Sequence, residues 1–404
     1  MRLSTSLIYT QGYEAIARKQ GELTRTQQQV ASGTRIATPA DDPIGAAQAI
    51  SLTQSSNETQ LLAGNVSQAM SILEGNDALL SQLTDLLSRV RTLAVNGGSA
   101  GLSASDRASI ASDIAEEAQA LMAIGNTRSS DGKYVFSGLS TDVAAFADTP
   151  GGVVYNGDQG VHEIQVGASR FIPANLTGSA VFMQPHNGDG AVTMRAAAAN
   201  VGLGVIASGS VVNPAAVNGH AYRLAFTVAA GVTTYDVLDT TTATTLSSGN
   251  AYVDGAAISV GGMQTSVRGA PANGDAFTMA PSGRQSLFTT LANLVSTLNT
   301  PASSAGVQAQ VSNGIAAALQ DLDQGLDSVL ALRAGTGAQL RELDTLEASL
   351  SARDLGYQQS ISKLRDLDYD KALSDFARQQ LALQAAQQSF VKVSGLSLFD
   401  YLKF

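Results

Sequence analysis

Two amphipathic segments at opposite ends of the chain constrain its fold more than any other feature. Residues 2–47 and 366–404 are both rich in glutamine, and both carry large apolar residues at intervals of seven. In the first segment these residues are Ile16, Leu23 and Val30. A seven-residue apolar period predicts a helix that packs in a coiled coil. The two chain ends are therefore predicted to pair with each other or with other copies of the protein.

The apolar residues of the second segment are Phe376, Leu383 and Phe390. Glutamines stand between the apolar residues of both segments: Gln20, Gln27, Gln380 and Gln387. We predict that every second layer of the coiled coil is glutamine, so that each helix buries too little apolar area to stay folded alone. The six apolar residues are therefore our candidate assembly interface, and both segments are expected to be disordered in the free monomer.

Composition excludes several classes of function. The chain of 404 residues has a formal net charge of −10 and only 14% charged residues, whereas a phosphate-binding surface needs clustered lysine and arginine. Nucleic acid is therefore not an expected partner. There is no cysteine, which excludes disulfides, thiolate metal sites and a cysteine nucleophile. No stretch approaches the roughly 20 apolar residues of a membrane span, so no membrane contact is expected, and the N-terminal segment does not resemble a cleaved secretory signal.

Proline placement divides the chain into regions. All nine prolines lie between Pro39 and Pro301. Residues 44–149 and 302–404 contain none and are rich in alanine, leucine and glutamine, which predicts long helices. Residues 180–285 contain neither lysine nor glutamate and are rich in threonine, valine and glycine, which predicts strands.

The resulting fold class is mainly α with a β insertion. We predict a long antiparallel helical rod or coiled coil built from both termini, small β-hairpins and an inserted β-rich domain. Residues 1–43 with 366–404 form the terminal coiled-coil segment in this prediction. Residues 44–179 with 286–365 form a helical domain that carries the hairpins, and residues 180–285 form the β-rich outer domain.

Short apolar runs separated by glycine, asparagine and aspartate predict hairpins after the first helical region. The runs are Tyr134–Phe136, Val153–Tyr155, His162–Val166 and Phe171–Ile172. Residues 155–158, with the sequence Tyr-Asn-Gly-Asp, carry a strong turn signal. This segment is therefore predicted to be a hairpin turn.

Two glycines interrupt the longest predicted helix, which starts near Ser312 and continues beyond Leu367. Glycine destabilises a helix interior because it has the largest backbone entropy to lose. Gly335 and Gly337 therefore indicate either a break between two helices or a point where another helix approaches closely.

The pair Asp41 and Asp42 has two interpretations. Adjacent carboxylates are able to perform acid–base chemistry. Asp42 also precedes Pro43 and an alanine-rich segment, and aspartate at the N-cap with proline at the first helical position is typical of a helix start. We favour the helix-start turn and assign no catalytic residue.

Metal and cofactor sites are not predicted. Asp366, Asp368 and Asp370 alternate as in a Ca²⁺-binding loop, but Lys371 stands where that loop needs glycine. A polar turn is the favoured interpretation. The three histidines have no ligand-like spacing: His162, His186 and His220. No cofactor-binding motif and no nucleophile–base pair stands out, so the chain is not predicted to be an enzyme.

Three local motifs resemble the flagellin superfamily of bacterial flagella. Residues 32–46, which contain Ser-Gly, a basic residue and Asp-Asp-Pro, resemble the N-terminal signature of that family. Residues 333–338 resemble the arginine and Gly-Ala element of its long C-terminal helix, which favours a continuous helix there. Residues 366–372 resemble the Asp-x-Asp step before its final helix. The two chain ends are more similar to junction proteins of this superfamily than to flagellins.

The resemblance implies a structural subunit of the bacterial flagellum at the junction of hook and filament. The partners it implies are a ring of copies of the chain itself, hook-associated protein 1, flagellin and a flagellar export chaperone. It also implies an extracellular location, reached through the flagellar type III apparatus without a cleaved signal peptide. One alternative is a flagellin that forms the filament, and another is a coiled-coil adhesin or phage tail fibre.

Overall fold

The computed structural model describes residues 5–99, 101–301 and 304–395. Six α-helices lie within these ranges: α1 Thr5–Ser32, α2 Pro43–Gly97, α3 Ala104–Gly125, α4 Leu287–Leu298, α5 Ala305–Arg365 and α6 Tyr369–Gly395. All strands of the described residues lie between α3 and α4. The predicted fold class, mainly helical with small hairpins and a β-rich insertion, is confirmed.

The strands form four antiparallel sheets within the described residues. In chain order they are β1 Phe146–Thr149, β2 Gly152–Tyr155, β3 Glu163–Gly167, β4 Arg170–Pro173, β5 Val192–Ala196, β6 Val205–Ile206, β7 Ser210–Val211, β8 Tyr222–Ala229, β9 Val232–Asp239, β10 Thr244–Ala251, β11 Ala257–Val260, β12 Met263–Arg268 and β13 Ala276–Pro281. β1 with β2 and β3 with β4 are two-stranded hairpins. The largest sheet has the order β10-β9-β8-β13-β5, and β12 pairs with β11, β6 and β7 in another.

One compact unit comprises Met1–Asn65 and Thr345–Phe404. In it, α1 and α6 run antiparallel, because the ring of Tyr9 near the start of α1 lies 6.1 Å from that of Phe390 near the end of α6. The first part of α2 also lies along the last part of α5. Ser56 Oγ on α2 donates a hydrogen bond of 2.5 Å to Asp354 Oδ1 on α5. Both ends of the chain therefore contribute paired helices to the same unit.

The second compact unit is Val66–Asp344. Its main core packs leucines of α2 against α3, α4 and α5. The ring of Phe146 on β1 lies 5.1 Å from both Phe182 and Phe288, so the hairpins are fixed to the helices by an aromatic cluster. Val181 and Phe182 are fully buried in this helical core, and the β-rich segment follows from Val192.

A smaller core holds the large sheet together. Leu224 and Phe226 of β8 and Phe277 of β13 are almost fully buried, and alternate residues on these strands face solvent or the opposite side. This alternation is the pattern of a half-buried antiparallel sheet. The β-rich segment is attached to α5 by polar contacts. Asn313 accepts the Ile206 amide at 2.9 Å and donates to the Gly204 carbonyl at 2.9 Å.

The predicted strand at Tyr134–Phe136 is absent from the described residues. Tyr134 forms only an isolated bridge with Arg128, and Phe136 is fully buried against Phe182. The predicted turn at 155–158 is also wrong, because the β1–β2 and β3–β4 turns lie at residues 150–151 and 168–169. The Asp158 carboxylate instead accepts hydrogen bonds from the loop that carries Phe136, including the Leu139 amide at 2.8 Å. Burial of aromatic rings therefore determines the path of this loop.

The long helix α5 is continuous through Gly335 and Gly337, so the predicted alternative of a helix break is wrong. A Cβ atom at either glycine would meet nothing within 4 Å in the part of the chain that the structure describes. Close approach of another helix of this chain is therefore not the reason for these glycines. Gly325, by contrast, lies where a Cβ would be 2.6 Å from Leu287 Cδ2.

These glycines allow a direct test. Gly335→Ala and Gly337→Ala are each expected to stabilise the protein by about 0.5–1 kcal/mol, since alanine loses less entropy in a helix and has room here. Gly325→Ala in the same helix is the matched control and is expected to destabilise by about 1–3 kcal/mol through overpacking. The free energy of unfolding in urea distinguishes them. A loss of stability at both open glycines would contradict the packing described.

Candidate assembly interface at the paired chain ends

The six apolar residues of the candidate assembly interface lie on α1 and α6, and each is partly buried. Ile16, Leu23 and Val30 are partly buried on α1. Phe376, Leu383 and Phe390 are partly buried on α6. These residues are partly buried within a single chain. Their role in contacts between copies stays a prediction.

The predicted glutamine layers are wrong. All four glutamines are exposed: Gln20, Gln27, Gln380 and Gln387. The intervening positions that face the partner helix are Gly12, Lys19 and Thr26 on α1, and Ala372, Gln379 and Ala386 on α6. These positions and the six apolar residues form the seam between the two helices, and along α1 they follow at alternate intervals of three and four residues. Lys19 thus comes three residues after Ile16, whereas the predicted Gln20 comes four residues after it. With 3.6 residues per turn both positions lie near the same face, and the position of the partner helix decides between them.

Small residues of this seam are matched to large ones. Gly12 lies directly under Phe390, and a Cβ on Gly12 would be 2.5 Å from the phenylalanine Cδ2. Gly33 lies in the same way against Tyr369, because a Cβ on Gly33 would be 2.9 Å from the tyrosine hydroxyl oxygen, and its φ of +70° is one that favours glycine. The two contacts place the start and end of α1 opposite the end and start of α6.

A short antiparallel β-bridge joins the segment that follows α1 to the segment between α5 and α6. Thr34 pairs with Asp366. The Arg35 amide donates to the Arg365 carbonyl at 2.6 Å, and the Leu367 amide donates to the Gly33 carbonyl at 3.0 Å. The backbone after α1 is thereby fixed to the backbone between α5 and α6.

Arg35 caps the last turn of α5. Its guanidinium donates to the Leu364 carbonyl from Nη2 at 2.8 Å and from Nε at 3.2 Å. The final carbonyls of a helix have no partner within the helix, so this contact satisfies one of them. Nη1 of the same guanidinium donates to Asp42 Oδ2 at 3.2 Å. Arg35 therefore connects the end of α5 with the start of α2.

Asp41 is an acceptor within the turn before α2. Its Oδ2 accepts the amides of Ala37 at 3.1 Å and Thr38 at 2.8 Å, and Arg25 lies 2.8 Å from Oδ1. The Thr38 amide is the main cause that lowers the pKa of Asp41 below its usual value. A carboxyl that stays ionised and occupied in this way is a poor general acid.

Asp42 occupies the N-cap of α2. Its Oδ1 accepts the Gly45 amide at 2.9 Å, and Pro43 is the first residue of the helix. That amide is the main cause that lowers the pKa of Asp42. Asp41 and Asp42 thus serve separate parts of one turn and do not form an acid–base pair. This geometry is the one that the helix-start interpretation describes.

The other sequence candidates have local partners. Asp368 Oδ1 accepts the Lys371 amide at 3.1 Å at the start of α6, and Ser362 donates to Asp366. His220 Nδ1 lies 2.6 Å from Asp239 Oδ2. Residues 5–99, 101–301 and 304–395 contain no group of three or more histidine or acidic residues placed to hold a metal ion. Within the same ranges no helix has the length and apolar character needed to cross a membrane.

Four residues that organise this site are not among the candidates predicted from the sequence: Gly12, Arg25, Arg35 and Tyr369. Gly12 stands four residues before Ile16 and thus continues the apolar row, which was a usable signal. The partners of Arg35 and Tyr369 lie more than 320 residues away in the sequence. No local pattern indicates such contacts.

Comparison with known proteins shows that the chain is similar to components of bacterial flagella. The family model for the bacterial flagellin N-terminal helical region matches residues 3–141. The chain is 28% identical to flagellar hook-associated protein 3 of Escherichia coli over 409 aligned positions, which cover 100% of both chains.

Solved structures give the same result at the level of the fold. The crystal structure of FlgL from Xanthomonas campestris has a TM-score of 0.68 and 31% identity, covering 73% of this chain and 98% of that one. The flagellar junction protein FlgL from Legionella pneumophila has a TM-score of 0.71 and 28% identity, covering 79% of this chain and 100% of that one.

Proposed function

Because this chain belongs to the flagellar hook-associated protein 3 (FlgL) family, we propose that it joins the hook of a bacterial flagellum to the flagellin filament. The observation that carries the proposal is the match to hook-associated protein 3 over the whole chain, whereas the flagellins it resembles match over 26–37% of it. A filament-forming flagellin is therefore the weaker alternative. Pairing of both chain ends in one unit also supports a subunit of an assembly over an adhesin or tail fibre.

The proposed role is mechanical and not catalytic. The relatives are named for a structural position in the flagellum. In this chain the best candidate for acid–base chemistry, the pair Asp41 and Asp42, is occupied by backbone amides and by Arg25 and Arg35. Such a turn supports helix pairing and leaves no carboxylate free to transfer a proton.

The proposed partners follow from the proposed position. Copies of the chain form a ring, with hook-associated protein 1 on the hook side and flagellin on the filament side. Before assembly, an export chaperone binds the chain, and the flagellar type III apparatus carries it out of the cell without removal of a signal peptide. Residues 1–43 with 366–404 form the core of the ring, residues 44–179 with 286–365 its wall, and residues 180–285 its outer surface.

We expect α1 and α6 to fold fully only in the assembly. Their seam alternates large apolar residues with small or polar ones, and the buried Gln379 Oε1 has no hydrogen-bond partner in the described part of the chain. An unpartnered buried polar atom costs about 1–3 kcal/mol. Limited proteolysis of the free monomer should therefore remove α1 and α6 first and leave Val66–Asp344 intact. Protection of both helices at protease levels that cut loops of that unit would contradict the expectation.

A deletion strain tests the junction proposal against its alternative. Loss of a junction protein is expected to leave intact hooks and to release flagellin into the medium, because export continues while attachment fails. Loss of a flagellin would remove the filament without releasing that protein. Electron microscopy of hooks and immunoblotting of the culture medium measure both outcomes, and complementation with the intact gene is the control.

A further inference from the structure

An apolar groove lies in the unit Met1–Asn65 with Thr345–Phe404, beside the helix-start turn. It has a volume of about 440 Å³. Ile36, Pro39, Ala49 and Ile50 are among the residues that line it. Ile50 is 66% exposed, whereas Ile36 is only 6% exposed. The groove thus presents apolar surface that this chain leaves in contact with solvent.

A single cation stands among the residues that line the groove. Arg365 lies at the end of α5, and its backbone carbonyl accepts the Arg35 amide. Its guanidinium makes no ion pair or hydrogen bond with any residue that the structure describes. The arginines nearby are different, since Arg25 is paired with Asp41 and Arg35 with Asp42. The groove therefore suits an apolar segment that carries one acidic side chain.

The sequence after α6 has this chemistry. Residues 396–404 read Leu-Ser-Leu-Phe-Asp-Tyr-Leu-Lys-Phe. Asp400 stands between Phe399 and Tyr401, with leucines on both sides. Burial of these aromatic and leucine side chains in an apolar groove is favourable, and the carboxylate complements the guanidinium of Arg365.

The length of α6 shows which copy is able to supply this segment. The groove lies near the start of α6, because Arg365 lines it four residues before Tyr369. The 27 residues of α6 lead away from it for about 40 Å. Nine extended residues span at most roughly 30 Å. Residues 396–404 of the same chain therefore fall about 10 Å short.

We propose that residues 396–404 of a second copy of this chain bind in the groove, with Asp400 next to Arg365. The inference rests on the proposed role as an assembly subunit and adds the specific contact between copies. It makes the helix-start turn one half of a contact between copies. The other half is the segment that follows α6.

Single cysteines test this contact directly, because the chain has no native cysteine. A mixture of Ile50→Cys and Leu402→Cys proteins is oxidised at increasing concentration. We expect a cross-linked dimer that contains one of each variant. Leu61→Cys replaces Ile50→Cys in the control, since Leu61 lies on the same helix with a similar exposure of 64% but does not line the groove. Equal cross-linking at both positions, or none at Ile50, would overturn the proposal.

A labelled peptide of residues 396–404 provides a second measurement. We expect saturable binding to the intact protein, weakened at least about tenfold by Ile50→Ser or Arg365→Glu and unchanged by Leu61→Ser. A protein that carries both Ile50→Cys and Leu402→Cys should form no cross-link within one chain when dilute. A monomeric internal cross-link would show that the segment reaches its own groove and would overturn the assignment to a second copy.

Photo-cross-linking in assembled flagella tests this inference independently of the proposed function. A photo-cross-linker at Ile50 is expected to capture another copy of this chain. Capture of flagellin or of another flagellar component would overturn the self-contact while leaving the junction role intact. Failure of the deletion strain to shed flagellin would contradict the junction role, whatever the cross-linking shows.

Discussion

Asp321→Ala is expected to destabilise the unit Val66–Asp344 by about 3–5 kcal/mol, the largest effect of any single substitution proposed for that unit. Asp321 on α5 is only 5% exposed. Its carboxylate accepts two hydrogen bonds from Arg195 Nη2, at 2.6 and 2.7 Å, and one from the Gly188 amide at 2.8 Å. Removing it leaves a partly buried guanidinium and a buried amide without partners. Chemical denaturation monitored by circular dichroism measures the change.

The control lies two residues along the same helix. Asp323 pairs with Arg91 at 2.6 Å, but both side chains are 47% exposed. An exposed ion pair contributes about 0–1 kcal/mol, so Asp323→Ala should change the unfolding midpoint little. Similar effects of Asp321→Ala and Asp323→Ala would show that Asp321 does not hold the β-rich segment to α5.

Leu383→Asp is expected to abolish filament attachment. Leu383 is partly buried on α6, where complete burial in an assembly would contribute about 1.5–3 kcal/mol and a charge would lose its hydration. We propose that the same face of α6 binds the export chaperone before assembly, by a helix-in-groove contact. The substitution should therefore weaken chaperone binding as well. Swimming assays of the complemented strain and calorimetry with the chaperone measure the two effects.

Leu381→Asp is the matched control, because Leu381 is 69% exposed on the same helix and lies off the seam. It should leave the pairing of α1 with α6 unchanged. If Leu383→Asp abolishes attachment but leaves chaperone affinity unchanged, one face does not serve both partners. The proposal of a junction subunit would survive that result.

The seven-residue apolar period predicts that α1 and α6 are helices, but it does not predict which residues between the apolar ones face the partner helix. A seven-residue repeat identifies the apolar face of each helix without knowledge of the partner, and Ile16 on α1 and Leu383 on α6 are both partly buried. The glutamines were placed wrongly because the residues three and four positions after Ile16 differ by only 100° around the helix. Contact with α6 selects Lys19 over Gln20.

Local turn signals failed where distant residues determine the chain path. Residues 155–158 contain Asn-Gly, which favours a tight turn, yet Tyr155 and Asp158 bond to the loop at residues 136–140 instead. The helix-start turn shows the opposite case. The Asp42 cap is visible in the sequence because its acceptor and donor are three residues apart. The cap that Arg35 provides to α5 involves residues 329 apart, which no local pattern reveals.

The separation of 329 residues between Arg35 and Leu364 also bears on the order in which the contacts form during folding. Closing a loop of 329 residues costs about 5 kcal/mol of chain entropy, plus a constant, before any contact compensates for it. Hairpins and neighbouring helices between residues 66 and 344 need far shorter closures and are expected to form first. The bridge of Thr34 with Asp366 therefore forms late and opens early. For a subunit with the proposed role, this order would leave the two ends unpaired during export and pair them only at the last step.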